Sequence, residues 1–456
     1  MTQQLLTGWG MTAATRAEVC RPTTAAEVSA ALAAGRAAGG GVIARGLGRA
    51  YGDAAQNAGG TVLELTAFTR VHSFSEGDAS HEATITVDAG ISLDALMRLL
   101  VPLGYFVPVT PGTRYVTVGG AIGSDIHGKG HHLEGTFTRH VSEMTLLLAS
   151  GETRVLRPDD ASSGAFWATA GGMGLTGIIV TATVRLRRIE SAYLRVDTER
   201  ASNLDDAMDR MASRDDEYRY SAAWIDSLTT GAAMGRAVLT RGDFASVPEL
   251  PAKLAKAPLA YSPSPKLAAP PWVPSGLLRP STVRAFNEAW FRKAPREHTG
   301  YESIPHFFHP LDGVLEWNRI YGRSGFIQYQ FAVPLNAHET VREALGRLAE
   351  ARCPSFLTVL KRFGPANPGP LSFPIPGWTL TVDVPAALPG LGPLLDALDE
   401  RIVEAGGRVY LSKDSRLRPD LLAAMYPRLD EWRAERAALD PEGILSSDLS
   451  RRLGLS

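Results

Sequence analysis

Cysteine is nearly missing from this chain. The two present among 456 residues, Cys20 and Cys353, exclude a disulfide framework and a zinc site built on thiolates. An excess of either charge is missing too. With 47 basic against 48 acidic side chains, the protein lacks the basic face that releases counterions, so no nucleic-acid partner is expected. No stretch of 18 apolar residues occurs, so no helix is expected to span a bilayer. The opening Met1-Thr-Gln-Gln-Leu-Leu-Thr-Gly-Trp9 has neither a basic flank nor an apolar run, so no secretory leader is expected. No G-x-x-x-x-G-K-[ST] string exists, which removes the P-loop nucleotide hydrolases. What the chain does have is glycine (45) and proline (30), on a background of 45% hydrophobic and 21% charged residues that suits a soluble globular protein. At about 150 residues per domain, its length suggests two or three domains, or one large domain with an inserted lobe.

Thr24-Ala-Ala-Glu27 is a capping box opening an alanine-rich helix to Ala38, and Gly39-Gly-Gly41 stops it. Short strands are expected over 41–46, 61–65 and 83–87, then a helix from Ser92 with Leu93, Leu96, Met97 and Leu100 on one buried face. Strands follow over 144–149 and 178–186, so the chain up to about Arg188 reads as an α+β region with glycine in its turns. Between about Glu190 and Gly407 the character changes. Aromatic-rich runs over 218–224, 326–333 and 378–384 alternate as antiparallel strands do, with helical stretches over 338–351 and 391–405 among them. This predicts a second α+β lobe built on a sheet. Inside it, residues 246–300 hold 10 of the 30 prolines and eight Lys or Arg against three Glu, the composition of a poorly packed, mobile stretch. It is either a solvated surface insertion or a basic flap meeting an anionic or lipidic surface through Trp272, Leu277, Leu278, Trp290 and Phe291.

Three glycine-rich clusters carry the chemistry. The first, Arg45-Gly-Leu-Gly-Arg-Ala-Tyr-Gly-Asp53, follows a strand; its glycines let several N–H groups point at one anion. The second, from Pro111 to His132, is long and poor in large side chains. Its backbone from Thr117 to Gly130 could lie flat against a planar ligand, with Thr117, Ser124 and N–H groups reaching a phosphate. The third places Gly172, Gly174 and Gly177 as G-x-G-x-x-G, but a helical segment precedes it and a strand follows, the reverse of a Rossmann turn. His127, His131 and His132 with Asp125 raise a metal site. Gly128 and Gly130 oppose the helix that would align His127 with His131, and no Glu lies between them as a base, so no metal is expected. Contact with a cofactor ring or substrate hydroxyls fits these histidines better, and plain solvent exposure remains open for His131 and His132. Near the C-terminus, Lys413 follows a short apolar strand. It is an exposed lysine in a polar turn, or a functional one buried to act as a base or held as a cation by an anion.

In this order, with Val87-Asp-Ala-Gly90 preceding an amphipathic helix, the clusters give a chain that resembles the flavoprotein family typified by vanillyl-alcohol oxidase and p-cresol methylhydroxylase (PCMH). The likeness runs almost end to end. It takes in Leu6-Thr-Gly-Trp9, the stretches 45–57, 111–132 and 174–179, Glu316-Trp-Asn-Arg319, Gly325-Phe-Ile-Gln-Tyr-Gln-Phe331, Leu371-Ser-Phe-Pro-Ile-Pro-Gly-Trp378, Lys413-Asp-Ser-Arg416 and Met425-Tyr-Pro427. The resemblance implies an α+β, two-lobed protein: a PCMH-type FAD-binding domain from residues 1–190 and the returning segment 408–456, with an antiparallel-sheet substrate domain, 191–407, inserted between them. It implies FAD held by Ala44, Arg45, Gly46, Leu47, Gly48, Arg49, Ala50, Tyr51, Gly52, Asp53 and Ala54, by Gly112, and by Thr117, Val118, Gly119 and Gly120. Ser124, Asp125, Ile126 and His127 join them, with Gly177 and Ile178 at the adenine end and Tyr410 from the returning segment. Several relatives tether FAD through a histidine in the first glycine loop; this chain has Arg49-Ala-Tyr51 there, with no histidine or cysteine, so non-covalent FAD is expected.

The activity so implied is FAD-dependent oxidation of the C2 hydroxyl of a prenylphosphoryl pentose to the 2-keto sugar, the first half of a 2-epimerisation in cell-wall arabinan precursor synthesis. A nicotinamide-dependent reductase would complete it, and the lipid-linked sugar phosphate would bring the protein to a membrane face, from the cytoplasm or the periplasm. Lys413 would lie beside flavin and substrate, as a cation stabilising anionic reduced flavin or as a neutral base; the cation needs no pKa shift. Gln328, Gln330, Lys361, Tyr51 and His127 would orient hydroxyl or phosphate groups, and Thr381 stands in the pocket wall where such members often carry cysteine. Two other readings remain: a flavin oxidase of a free polyol or aldonolactone using oxygen, and a non-catalytic flavin-binding protein.

Overall fold

The computed structural model describes residues 2–78, 80–273 and 276–456. The N-terminal helix Ala25–Ala38 begins where expected: Thr24 accepts from the Glu27 N–H at 3.2 Å, while the Glu27 carboxylate reaches back to the N–H of Thr23 at 2.7 Å. It packs on a four-stranded sheet whose order is Thr2–Thr7, Ala14–Cys20, Thr61–Glu64, Val42–Arg45; the first pair is antiparallel and the inner pairs are parallel. The hairpin of residues 2–20 was not legible in the sequence, because its first strand is largely exposed and polar.

A second sheet, of five antiparallel strands, runs in the order Val71–Ser75, Thr84–Asp88, Ile178–Arg185, Val141–Leu147, Thr153–Leu156. The helix Leu93–Leu100 is capped by Ser92 and turns Leu93, Leu96, Met97 and Leu100 into the core beside this sheet. At about 1.5–3 kcal/mol for each large apolar side chain removed from water, that stripe outweighs the modest intrinsic stability of so short a helix.

An antiparallel sheet of eight strands dominates the rest of the chain. Its order is Glu297–Ser303, Tyr193–Ala201, Ala237–Phe244, Tyr220–Ile225, Thr358–Phe363, Gly377–Pro385, Phe326–Pro334, Arg408–Val409. The three aromatic-rich runs are three of these strands. One face of the sheet, with Leu239, Ile225, Leu360, Val382, Leu380, Phe331 and Val333, is covered by the helices Leu204–Arg214, His338–Glu350 and Leu391–Glu404. By the two-residue period of a strand, the intervening side chains point to the opposite face. The last strand links the C-terminal segment to this sheet, after which the chain returns to the first one: Ser446 N–H donates to Val42 C=O, and Arg452 pairs with Asp53 at 2.8 Å.

Residues 246–300 contain regular structure. Pro280–Lys293 is a 14-residue helix and Glu297–Ser303 is the edge strand paired with Tyr193–Ala201, so this proline-rich stretch ends in regular structure. Proline at the first helical position costs no hydrogen bond, which is how a proline-dense sequence still starts a helix.

Candidate active site

Between the glycine loops and the polar face of the eight-stranded sheet lies a cavity of about 720 Å³. The first loop leaves the strand Val42–Arg45 and turns at Gly48, whose φ of 66° is left-handed. Among the described residues, the N–H groups of Leu47, Gly48, Arg49 and Ala50 donate to no protein atom, and all four residues line the cavity. Successive free N–H groups on such a turn form an anion nest that suits the pyrophosphate of a dinucleotide. Arg45 braces the loop by donating to the carbonyls of Thr7 at 2.8 Å and Ala55 at 2.9 Å. Arg49 lies 3.7 Å from the Trp9 ring centroid and donates to the Tyr115 carbonyl at 3.3 Å.

The second cluster forms the opposite side of the slot. Thr117 caps the helix Val118–Gly123, and a Cβ at Gly112 would meet nothing within 4 Å, so any side chain there would enter the cavity. Asp125 then takes a left-handed φ of 41°, strained for a non-glycine residue. Its buried carboxylate is held by Ser372 at 2.5 Å and Asn367 at 2.6 Å; burial raises its pKa and these donors oppose the rise. That turn carries His127 into the cavity. Tyr410 closes the slot, its hydroxyl donating to the Ser124 carbonyl at 2.7 Å and its ring stacked on Phe373.

The sheet supplies the far wall. Lys361 is opposite Thr379, Gln330 opposite Thr381, and Gln328 opposite Asp383, which sets all six on one face of three adjacent strands. Gln330 Nε2 lies 3.0 Å from His127 Nε2 and 3.2 Å from Thr379 Oγ1, and Lys361 Nζ lies 3.1 Å from His127 Nδ1. Gln328 donates to Asp383 at 2.5 Å. From the C-terminal segment, Lys413 reaches the Tyr51 ring with its Nζ 3.7 Å from the centroid.

Burial sets the protonation states. It pushes Lys361 down to about 7, helped by the like charges of Lys413 and Lys129, and holds His127 well below the usual imidazole range. Burial lowers Lys413 to about 7 as well, with the Asp383 carboxylate opposing the shift, and burial raises Asp383 itself to about 7. The Tyr51 face, beside Asp383, is a second attraction for the Lys413 cation.

Of the residues singled out from sequence, Ala44 to Tyr51, Ala54, Gly112, Thr117, Gly119, Gly120, Ser124, Ile126, His127, Gly177, Tyr410, Gln328, Gln330, Lys361, Thr381 and Lys413 line the cavity. Gly52, Asp53, Val118, Asp125 and Ile178 do not. Gly52 packs against the Asp414 backbone, Asp53 pairs with Arg452, and Val118 and Ile178 are core residues. His131 and His132 do not face solvent. His131 is buried against Phe363, which pushes its pKa down to about 3, and His132 lies 2.8 Å from the Tyr218 carbonyl. Among the described residues no group of His, Cys, Asp or Glu is arranged to hold a metal ion. Of the proposed flap contacts, Trp290 lines the cavity, Leu278 packs against the cluster of Trp317, Tyr321 and Phe326, and Phe291 lies under Arg200 and Arg236.

Sequence reasoning missed Lys129, Thr379 and Asp383. Lys129 enters the cavity and donates to the Phe307 carbonyl at 2.8 Å; its signal was a lone charge between Gly128 and Gly130. Thr379 and Asp383 stand two residues either side of Thr381 and share its face by strand periodicity alone.

A free N–H nest, a side-chain-poor slot and a facing wall of amines and amides define a flavin-binding oxidoreductase. Residues 17–157 match the family model described as an FAD binding domain. Over its full length the chain is 45% identical to decaprenylphosphoryl-beta-D-ribose oxidase of Mycolicibacterium smegmatis, a match that spans 98% of that protein. It is 43% identical over 380 residues, 80% of this chain and all of the relative, to an uncharacterized protein in the mprA 5′ region of Streptomyces coelicolor. A shorter match, 29% over 125 residues (27% of this chain and 23% of the relative), joins it to D-arabinono-1,4-lactone oxidase of Saccharomyces cerevisiae. The chain belongs to the FAD-dependent oxidoreductase family of the mycobacterial oxidase.

Proposed function

We propose that this protein oxidises the C2 hydroxyl of a prenylphosphoryl pentose, of the decaprenylphosphoryl-β-D-ribose type, to the 2-keto sugar. The observation that carries the reading is the composition of the cavity. Its lining includes Gln328, Gln330, Lys361, His127 and Lys413, groups suited to hydroxyls and charge, and also Trp224, Phe286, Trp290, Leu311, Leu315 and Trp317. A sugar joined to a prenyl chain needs both surfaces; a free polyol needs only the first. The full-length likeness to an oxidase named for such a substrate supports the same choice.

In this reading residues 1–190 and 408–456 form the cofactor lobe and 191–407 the substrate lobe. The glycine slot would hold non-covalent FAD, with the N–H groups of residues 47–50 for its pyrophosphate, and FAD would supply the two-electron acceptor for the carbinol hydrogen. The chain aligns the sugar with Gln328 and Gln330, screens it from water behind Trp224 and Trp317, and places the Lys413 cation where negative charge develops. Tyr51 holds that cation in place. A nicotinamide-dependent reductase completes the epimerisation, and the protein works at a membrane face. No described helix is long and apolar enough to cross a membrane.

The test is anaerobic mixing of the flavin-loaded protein with prenylphosphoryl ribose while the flavin band is followed. Bleaching by the lipid-linked sugar, with none by xylitol or gulonolactone, is expected. Bleaching by free polyols alone would replace this reading with a polyol or lactone oxidase.

A further inference from the structure

The hydrogen bonds around His127, whose ring also meets the Gly128 backbone, bear on the state of Lys361. The Thr379 hydroxyl donates to the Phe331 carbonyl at 2.8 Å; a carbonyl only accepts, so the one hydroxyl proton is committed there. Towards its other neighbour the Thr379 oxygen can therefore only accept. That neighbour, 3.2 Å away, is the side-chain amide of Gln330, which must present its NH2 group. The same NH2 lies 3.0 Å from His127 Nε2, so Nε2 accepts and the ring carries its proton on Nδ1. Nδ1–H then faces Lys361 Nζ at 3.1 Å. An ammonium has three donors and no lone pair and cannot receive it, whereas a neutral amine can.

We infer that Thr379, acting through Gln330 and His127, holds Lys361 as a neutral amine, and that Lys361 is the group in this cavity that accepts a hydroxyl proton. The inference rests on the proposed alcohol oxidation and names the base for it. The single Lys361 lone pair turns from the His127 N–H to the reacting hydroxyl; the O–H bond breaks and an N–H bond forms on Lys361, leaving the oxygen electron pair to become the carbonyl as the carbinol hydrogen departs with its electrons to the flavin.

The surroundings agree. Lys361 faces Lys413 and Lys129, both of its own sign, and His131 lies beyond His127; the carboxylates nearby, Asp383 and Glu302, act on Lys413 and Lys129 respectively. On its own strand, Arg362 pairs with Asp216. Burial with these cations brings Lys361 to about 7, near the value at which a general base works best. Once protonated, Lys361 would meet a His127 N–H that it cannot bond, so the proton is readily released. Burial brings Lys413 to about 7 as well, so the two amines differ by what they face: Asp383 and the Tyr51 ring favour the charged form of Lys413, and the His127 N–H favours the neutral form of Lys361.

The test is competitive labelling of the full-length, flavin-loaded protein with trace acetic anhydride from about pH 5 to 11, read for each lysine by peptide mass spectrometry. The exposed Lys253 and Lys256 serve as internal references. Lys361 should label with a midpoint near 7 in the native protein. Thr379→Val frees the Gln330 amide to turn and the His127 proton to move, and should raise that midpoint by about one unit or more, a tenfold change. Thr379→Ser, which keeps the hydroxyl, should restore it, and the acid limb of kcat/KM should follow the same order. If Thr379→Val does not fold, Thr379→Ala carries the comparison. A Lys361 midpoint at the ordinary lysine value, or one unmoved by loss of the Thr379 hydroxyl, would overturn the inference. Because labelling needs no turnover, it stands apart from the bleaching experiment: absent bleaching removes the alcohol substrate, and an unmoved midpoint removes only Lys361 and Thr379.

Discussion

The carbonyl oxygen of Asp414 lies so close to Gly52 that a Cβ on Gly52 would sit 1.8 Å from it. This approach seats the C-terminal segment on the first glycine loop, where Tyr51 N–H donates to the Ser412 carbonyl at 2.9 Å and Lys413 comes to rest over the Tyr51 ring. Gly52 therefore acts without lining the cavity. Arg452 strengthens the seat by pairing with both Asp53 at 2.8 Å and Asp414 at 2.9 Å.

Gly52→Ala should lift that segment. An inserted methyl against backbone cannot be relieved by a rotamer change, so a loss of about 3 kcal/mol is expected in denaturant unfolding. Flavin retention on gel filtration should fall with it. Wild-type stability and retention together would show that the two segments are not held by this contact.

Removing the Lys413 charge should damage chemistry more than binding. Lys413→Met is expected to lower substrate-driven flavin reduction, measured per bound flavin, by about 100-fold or more, the scale of one lost charge-stabilising group. It also leaves Asp383 buried without its cation, so the carboxyl should take up a proton. Asp383→Asn added to Lys413→Met should then cost little further stability, which a thermal-unfolding cycle reads. Equal rates in Lys413→Met and the native protein would remove the cation from the mechanism.

Strands and glycine loops were legible because their signals are local. The alternation of Phe326–Pro334 and Gly377–Pro385, the Thr24 cap and the backbone-rich stretch around Gly119 each follow from a few neighbouring residues. The order of strands was not, since Thr358–Phe363 lies between Tyr220–Ile225 and Gly377–Pro385 only through long-range pairing. The same limit hid the Thr379–Gln330–His127–Lys361 chain, whose members come from three strands and a loop. Residues 246–300 were read as poorly packed from proline density, although Val283 and Asn287 anchor the helix Pro280–Lys293 in the protein. Asn287 donates to the Asp226 carboxylate at 2.9 Å, a buried contact that composition cannot reveal.

Lys129 gives stability a pH dependence whose sign can be worked out. Burial lowers its pKa from 10.5 to about 8, against the opposing charge of Glu302. Between those values the unfolded chain holds a proton that the folded chain has lost, so folding becomes more favourable as pH rises through that window. Below about 8 both states are protonated and the contribution is flat and unfavourable. Lys129→Met should flatten the rise between pH 8 and 10.5 and add about 1 kcal/mol at pH 7, a value discounted for partial exposure. An unchanged stability profile would mean that Lys129 keeps its ordinary pKa.

The apolar surface near the cavity yields the last prediction. Trp272 is 77% exposed, Leu267 69% and Leu277 50%, while Phe286 and Trp290, each 45% exposed, also line the cavity. The chain has seven lysines: Lys129, Lys361 and Lys413 line the cavity, and Lys253, Lys256, Lys266 and Lys293 all lie in residues 246–300. Exposed aromatics among cations are the elements of contact with an anionic lipid surface, to which each basic group adds about 1 kcal/mol near the membrane. The protein should co-sediment with phosphatidylglycerol vesicles, more weakly with phosphatidylcholine, and release as salt rises. Trp272→Ala with Leu277→Ala should weaken vesicle binding by about tenfold or more, from the apolar area withdrawn. Turnover of a short, soluble prenylphosphoryl pentose should stay unchanged in the double variant, which separates docking from chemistry. Vesicle binding that is equal for both lipids and indifferent to these two side chains would remove this surface as the route by which a membrane-held substrate enters.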